Sequence, residues 1–459
     1  MSLIAEARSR RPRVRVPDLG NWANAIKFAI VLIVVNSHTL TNLSLPLYLL
    51  LYVPTMTVVG LQFAFRFRDA DPPIQVGWFA GWIAVAFFVL AVSIVMISPG
   101  GAAQGFVRFM FAAPIFLALT LYTDNEEDVR RHVAVAAAFF AIASLSIPLQ
   151  FFTGPITWFA DSSERSGLVR YSSLVGNLTS IGIVVGSYIV LTQVFSKRTQ
   201  WIWLGLMIVP AMLALQKAAV VNIAFGLLIV VILNRRAWRK FAIAIGSFAT
   251  AVILAYLFVP FLRERIAASL LSFGFAVDAD THVYNDDLSI GVAIWDRLVT
   301  LPLANFQALV ALHDPLVFLT GGGFGMASTA LVPAGDSIAP MAHNQFAELL
   351  TVSGPLAGTI QLVILGAIGV ILAKRMRSVN SPVVSAVFFA YLILMVNSFF
   401  ANGSVYQPSS ATIFYIAFFV ASSRIFAPAI ERAFVPVTGS DGLRAKGALF
   451  RQNSESAAR

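Results

Sequence analysis

Apolar runs of about 20 residues, each long enough to cross a bilayer core roughly 30 Å thick as a helix, recur along this chain between short polar segments. The pattern predicts about twelve spans, at 22–40, 43–64, 74–97, 105–123, 132–153, 172–195, 200–216, 218–234, 241–260, 345–373, 380–400 and 410–428. Two pieces between Trp201 and Leu233 are short and part only at Gln216 and Lys217, so they form a tight hairpin or one broken helix; charge parity favours the hairpin. Between Phe261 and His343 the pattern leaves one long loop. Inside it, Leu288 to Leu312 is apolar with Asp296, Arg297 and Pro302 embedded. A full crossing there would turn Lys374, Arg375 and Arg377 outward, so a surface-lying or partly re-entrant helix is predicted.

The expectation is an all-α polytopic membrane protein. One membrane domain at 22–428, with a periplasmic loop at 261–344, sits between cytoplasmic tails at 1–21 and 429–459. Composition excludes an ordinary soluble domain: 58% of residues are hydrophobic, 12% are charged and the mean hydropathy is +0.81, where soluble domains carry about a quarter charged residues. The first apolar stretch follows a basic leader and reads as a retained signal anchor.

A net charge of +10 would suggest nucleic acid in a soluble protein. Here the positive-inside rule accounts for most of it, and no nucleic-acid partner is expected. With the amino terminus in the cytoplasm, all but seven of the 32 Lys and Arg residues fall in inner segments, among them the RRAWRK turn at 235–240. The seven outer cations are Arg108, Arg165, Arg170, Lys217, Arg263, Arg265 and Arg297. Cysteine is absent, so no disulfide or thiolate metal site exists; no His, Asp or Glu cluster has metal-ligand spacing, and no metal or cofactor is expected.

A cation at the outer end of a membrane helix is costly unless water, a carboxylate or an anionic ligand accompanies it. Lys217, between two apolar segments, either contacts such a ligand or snorkels to the headgroups. Arg170 stands in RYSSLVGNLTSIG ahead of a helix start that includes Asn177; its guanidinium fork and the free N–H groups suit a phosphate or a sugar hydroxyl, with a lipid headgroup as the alternative. Arg165 has Asp161 and Glu164 as neighbouring partners. Arg297, beside Asp296 in the apolar loop segment, pairs internally or holds an anion. Arg108, Arg263 and Arg265 read as interface anchors, with substrate contact as the alternative. Of the outer histidines, His343 is the preferred candidate: it sits next to Asn344 directly before a span, where an imidazole can act as a general base. Helix capping or an interfacial role is the other reading of that pair. The GGGFG run at Gly321 to Gly325 lacks the Lys-Ser/Thr of a phosphate loop and reads as a tight turn folding the loop back.

Taken in order, RYSSLVGNLTSIG, LALQKAAVVNIAFG, DRLVTLPLANFQALVALHDPLVFLTGGGFG and AHNQFAELLTVSGPLAG resemble segments of the O-antigen ligase and Wzy-type polysaccharide polymerase superfamily of bacterial inner membranes, over roughly Arg165 to Gly369. Gln216 stands where that family usually has Ser, Leu178 and Thr179 where it often has Pro-Asn, and Pro355 interrupts its Gly-x-x-Gly pattern. The resemblance implies a metal-independent, inverting glycosyl transfer on the periplasmic side. The donor would be a glycan linked to undecaprenyl diphosphate and the acceptor a growing glycan or a lipid A core, with membrane lipids around the protein and a flippase and a chain-length regulator as partner proteins. It further implies His343 as the base, Lys217, Arg170 and Arg297 as a diphosphate clamp, and Asn344, Asn177, Arg108 and Arg165 as substrate-binding candidates. The lysine hairpin tilts the reading towards a polymerase; a ligase is the alternative, and a transporter or flippase of lipid-linked sugars is the rival from another class.

Overall fold

The computed structural model describes residues 19–37, 44–69, 74–156, 162–165, 168–174, 180–214, 216–234, 294–401 and 403–427, with isolated helical positions between 242 and 267. Both predicted tails fall almost wholly outside the described residues, as do most of the predicted span at 241–260, the RRAWRK turn, and loop residues 268–293.

The described chain is overwhelmingly helical, as apolar sequence without competing polar partners must be if every backbone N–H and C=O is to be satisfied within its own segment. In order the helices are α1 (Leu19–Asn36), α2 (Leu45–Asp69), α3 (Val76–Met96), α4 (Pro99–Met110), α5 (Ala113–Tyr122), α6 (Glu126–Ser144), α7 (Ser146–Thr153), α8 (Ser180–Leu191), α9 (Lys197–Leu213), α10 (Lys217–Leu233), α11 (Leu301–Val310), α12 (Pro315–Thr320), α13 (Gln345–Ser378), α14 (Pro382–Asn397) and α15 (Pro408–Ser422). Five segments are long and apolar enough to cross a membrane: Pro46–Arg66, Val76–Met96, Pro99–Tyr122, Glu126–Thr153 and Gln345–Ser378. Further apolar helices of 10–17 residues accompany them. By length and composition this is a helical protein built to be embedded in a membrane.

Local chemistry sets the boundaries. The predicted span at 105–123 begins earlier and is broken: Ser98 caps α4 by accepting from the Gly101 N–H at 3.0 Å, and α5 restarts after Phe111–Ala112 with Pro114 in its first turn. α6 likewise begins six residues before its predicted start, because Asn125 caps it and Glu126, Glu127 and Asp128 suit the positive end of the helix dipole. The segment around Gln216 resolves as two helices, α9 and α10, in contact with each other.

One departure from the all-α expectation is a short antiparallel hairpin, β1 (Ser162–Arg165) with β2 (Leu168–Tyr171), in register Ser163 opposite Arg170 and Arg165 opposite Leu168. At four residues each, these strands are too short for their period-two alternation to stand out beside the long apolar runs.

The core is organised around α15, every residue of which is buried. A helix apolar all round belongs at the centre of a bundle, and α1, α5, α6, α8, α13 and α14 pack around it. Its far end is capped by the buried Arg375 of α13, whose Nη1 donates to the carbonyls of Val420 (2.6 Å) and Ser423 (2.5 Å), where a cation complements the helix dipole. At the opposite end of α13, the loop elements α11, α12 and Gly323–Ala330 pack against α13, and Gly323–Ala330 also packs against α3.

Candidate functional site

The start of α13 is set by Asn344, whose Oδ1 accepts from the N–H groups of Phe346 and Ala347, both at 3.1 Å. This satisfies two of the N–H donors that a helix start leaves over. His343 immediately precedes the cap, half-buried and at a φ of 50°. That left-handed conformation is uncommon outside glycine, though His is among the side chains enriched there. The capping role proposed for the His-Asn pair is therefore taken by Asn344, and His343 is turned out of the helix path.

The turn between α14 and α15, described at residues 397–401 and 403–407, gathers the surrounding polar groups. Gln345 donates its backbone N–H to Ser398 O (2.8 Å) and Ala401 O (3.1 Å). Tyr406 Oη donates to Glu348 Oε1 at 2.8 Å, and Glu348 is 1% exposed. Arg297 lies in a single wide turn, Asp296–Thr300, that leads into α11, and donates from Nη1 to Phe400 O at 2.9 Å. Such π turns within helices occur often at functional sites. The Phe346 and Phe399 rings meet at 4.6 Å beneath them.

Arg297 and His343 are electrostatically coupled. Burial, and after it the positive charge of Arg297, hold the His343 imidazole below its ordinary pKa. Both causes disfavour the protonated ring, so near neutral pH the imidazole is neutral and able to accept a proton.

A second set of contacts fixes the loop that carries His343. Asn305 on α11 is fully buried; its Nδ2 donates to Met326 O (2.9 Å) and Pro340 O (2.8 Å), and its Oδ1 accepts from Thr351 Oγ1 at 2.6 Å. Pro355 has no N–H, which leaves the Thr351 carbonyl without its helical donor. Gly322 fills that place, donating to Thr351 O at 3.0 Å. The two chains approach so closely here that Gly321 (φ 80°) and Gly354 (φ 73°) meet backbone to backbone; a Cβ on Gly321 would lie 2.5 Å from Val352 O. The GGGFG run is thus the seam that seats the loop on a kinked α13 and, through the Phe324 N–H bonded to Ser93 Oγ (2.8 Å), on α3.

Of the residues singled out in the sequence, His343, Asn344 and Arg297 come together at this turn. Lys217 is the first residue of α10, and its helix is tied to the same turn one step away: Asn222 Oδ1 accepts from Asn397 Nδ2 at 2.8 Å. Gln216, ahead of it, accepts from the Gly182 N–H at 3.0 Å, fastening α10 to α8. The side chain of Lys217 lies outside the described set, as do those of Arg165 and Arg170 on the hairpin; Asn177 falls outside the described residues altogether. Arg108 is exposed in the last turn of α4. Among the described residues, no three His, Asp or Glu side chains gather as metal ligands.

Glu348, Tyr406 and Asn397 are the contributors that sequence reasoning missed. A carboxylate inside an apolar span was a usable signal for Glu348, since such groups are rare in membrane segments and usually functional. No family model matches the chain, and comparison with curated proteins gives no match.

Proposed function

We propose that this protein is a periplasm-facing, inverting glycosyltransferase of the bacterial inner membrane, of the Wzy-type polysaccharide polymerase kind, with about twelve crossings and its loop on the periplasmic side. The observation that carries the reading is the placement of Arg297 beside a half-buried His343 kept below its ordinary pKa. The sequence resemblance supports it independently.

In this reading the neutral His343 imidazole takes the proton of an acceptor sugar hydroxyl as that oxygen attacks the anomeric carbon of the donor glycan. The bond to undecaprenyl diphosphate breaks, and the negative charge that develops on the leaving diphosphate is met by Arg297, with Lys217 and Arg170 as further members of the clamp. Attack opposite the leaving group inverts the anomeric configuration. Fixed cations suit this task because they cost no reorganisation as charge develops. Asn344 acts through the helix start that positions His343, while Asn177, Arg108 and Arg165 are assigned to donor or acceptor binding. The test is transfer from an undecaprenyl-diphosphate oligosaccharide by the purified protein in liposomes, without nucleotide. Elongated glycan and released undecaprenyl diphosphate, lost in His343→Ala, are expected; donor that crosses the bilayer chemically unchanged would make the protein a transporter.

A further inference from the structure

The starts of α8 and α10 and the end of α14 lie together, at the end of the bundle that carries His343. Gln216 Oε1, ahead of α10, accepts from the Gly182 N–H of α8 at 3.0 Å, and Asn222 on α10 donates from Nδ2 to Gly182 O at 2.8 Å. The two helices then run side by side at backbone contact: a Cβ on Gly186 would lie 2.4 Å from Asn222 O, and one on Gly226 would lie 2.7 Å from Gly186 O. Small residues allow such an approach in membrane helices, and it makes α8 and α10 one unit. Deeper in the bundle, Ser187 Oγ of α8 donates to Ala390 O of α14 at 2.8 Å. At the end itself the link is Asn397, the last residue of α14, whose Nδ2 donates to Ile183 O of α8 and to Asn222 Oδ1 of α10, each at 2.8 Å.

We propose that Asn397 is a positioning residue, which holds the start of α10, and with it Lys217, in a fixed place relative to the turn of His343 and Arg297. The part played by Lys217 in a diphosphate clamp rests on the glycosyl-transfer reading above. Three observations carry the inference. The first is that these amide bonds are not needed to satisfy α8. A carbonyl inside a helix already accepts from the N–H four residues on, so Gly186 and Ser187 serve Gly182 O and Ile183 O. Asn222 and Asn397 are second donors there, and what they add is alignment between helices.

The second observation is an unbroken path to the charged turn. The residue after Asn397 is Ser398, whose carbonyl accepts the Gln345 N–H at 2.8 Å, two residues beyond His343; Phe400, three residues after Asn397, accepts from Arg297 Nη1 at 2.9 Å. The third is leverage. Asn222 stands five residues into α10, so its bond to Asn397 acts about 7.5 Å along the helix from Lys217. A shift at that bond passes directly to the helix start, and a misplacement of about 1 Å in a group that meets developing charge can cost about 10²-fold in rate.

The test compares wild type, Asn397→Leu, Lys217→Ala and the double variant in liposomes containing undecaprenyl-diphosphate oligosaccharide, at equal folded protein. Asn397→Leu should lower kcat by about ten-fold or more while the KM for the donor stays within about two-fold. The acid limb of its pH–rate profile should stay in place, because His343 and Arg297 keep their contact. In the Lys217→Ala background the same change should cost less than about two-fold, since the two act through one group. A readout free of catalysis uses the absence of cysteine from the chain: nitroxides on Val221→Cys of α10 and Val396→Cys of α14, both exposed positions, should give one narrow distance that Asn397→Leu broadens or displaces. Should Asn397→Leu fail to fold, Asn222→Leu breaks the same bond from α10. Losses that multiply in the double variant, a shifted acid limb, or an unchanged label distance would overturn the proposal. A distance that depends on Asn397 in a protein that transfers no glycan would keep the positioning and remove the transferase reading; transfer with none of these effects would do the reverse.

Discussion

Asn305→Ala is the substitution whose cost can be worked most directly from the structure. It deletes three hydrogen bonds from a fully buried side chain: two donated by Nδ2, to Met326 O and Pro340 O, and one accepted by Oδ1 from Thr351 Oγ1. The losses are unequal. Pro340 is exposed, so water can replace the amide there, and Thr351 Oγ1 keeps backbone partners at Ala347 O and Glu348 O, both at 3.2 Å. Met326 is fully buried, so no water can replace the donor its carbonyl loses. One orphaned buried carbonyl costs about 1–3 kcal/mol, and the remaining net bond energy about another 1 kcal/mol, so the variant should lose about 2–4 kcal/mol of unfolding free energy. Thr351→Val should lose about 1–3 kcal/mol, because it orphans Asn305 Oδ1 in turn. Since the two share one bond, the double variant should lose less than the sum of the singles by about 1 kcal/mol. The assay is reversible unfolding in mixed micelles, followed by circular dichroism. A loss under about 0.5 kcal/mol for Asn305→Ala, or strict additivity in the double variant, would refute the reasoning.

Gly354→Ala should be among the most damaging single changes, because a Cβ there would overlap Leu319 O and sit 2.5 Å from the Thr320 carbonyl carbon at a φ of 73°, whereas Gly77→Ala should be silent; yield and melting of the two variants decide it. Asn344→Ala should cost about 1 kcal/mol through the lost cap, and Asn344→Asp or Ser should restore most of it. For pH, burial and Arg297 depress the folded pKa of His343. Transfer should therefore hold down to a pH below the ordinary histidine value of about 6.5 and fall as the folded group protonates. Arg297→Gln removes one cause and should move that acid limb upward in a pH–rate profile; a limb that stays put or moves down contradicts the coupling. The same depression makes stability complete above the unfolded pKa and progressively lost as pH falls below it, a slope that His343→Gln should flatten in unfolding measured across pH 7 to 5, about the range where an ordinary histidine titrates.

Hydrophobic patterning located the long helices well, because a bilayer-length apolar run has few other solutions: the run predicted at 345–373 is α13, and that at 74–97 is α3. Its errors fall where polar residues belong to the helix. The acidic first turn of α6 looked like loop although Asn125 and the dipole make it helical, and Phe111–Ala112 breaks a run that hydropathy reads as continuous. His343 was legible as a rare titratable group beside a predicted span, and Arg297 as a charge inside an apolar segment. Their mutual approach was not legible, since it is made by residues far apart in sequence: Arg297 reaches Phe400, and Tyr406 reaches Glu348. The glycine run was read as a turn, and its closest neighbours, Gly354 and the carbonyl left over by Pro355, depend on a kink that no local pattern reveals.

The most direct test of the central claim is glycan transfer in liposomes containing undecaprenyl-diphosphate oligosaccharide, comparing wild type, His343→Ala and Arg297→Ala at equal folded protein. The account predicts longer glycan with inverted linkage and stoichiometric release of undecaprenyl diphosphate from wild type, abolished by the first substitution and reduced by about 10²-fold or more by the second. Transfer that survives His343→Ala undiminished, or donor that reaches the other leaflet with its glycan unchanged in length, would contradict it.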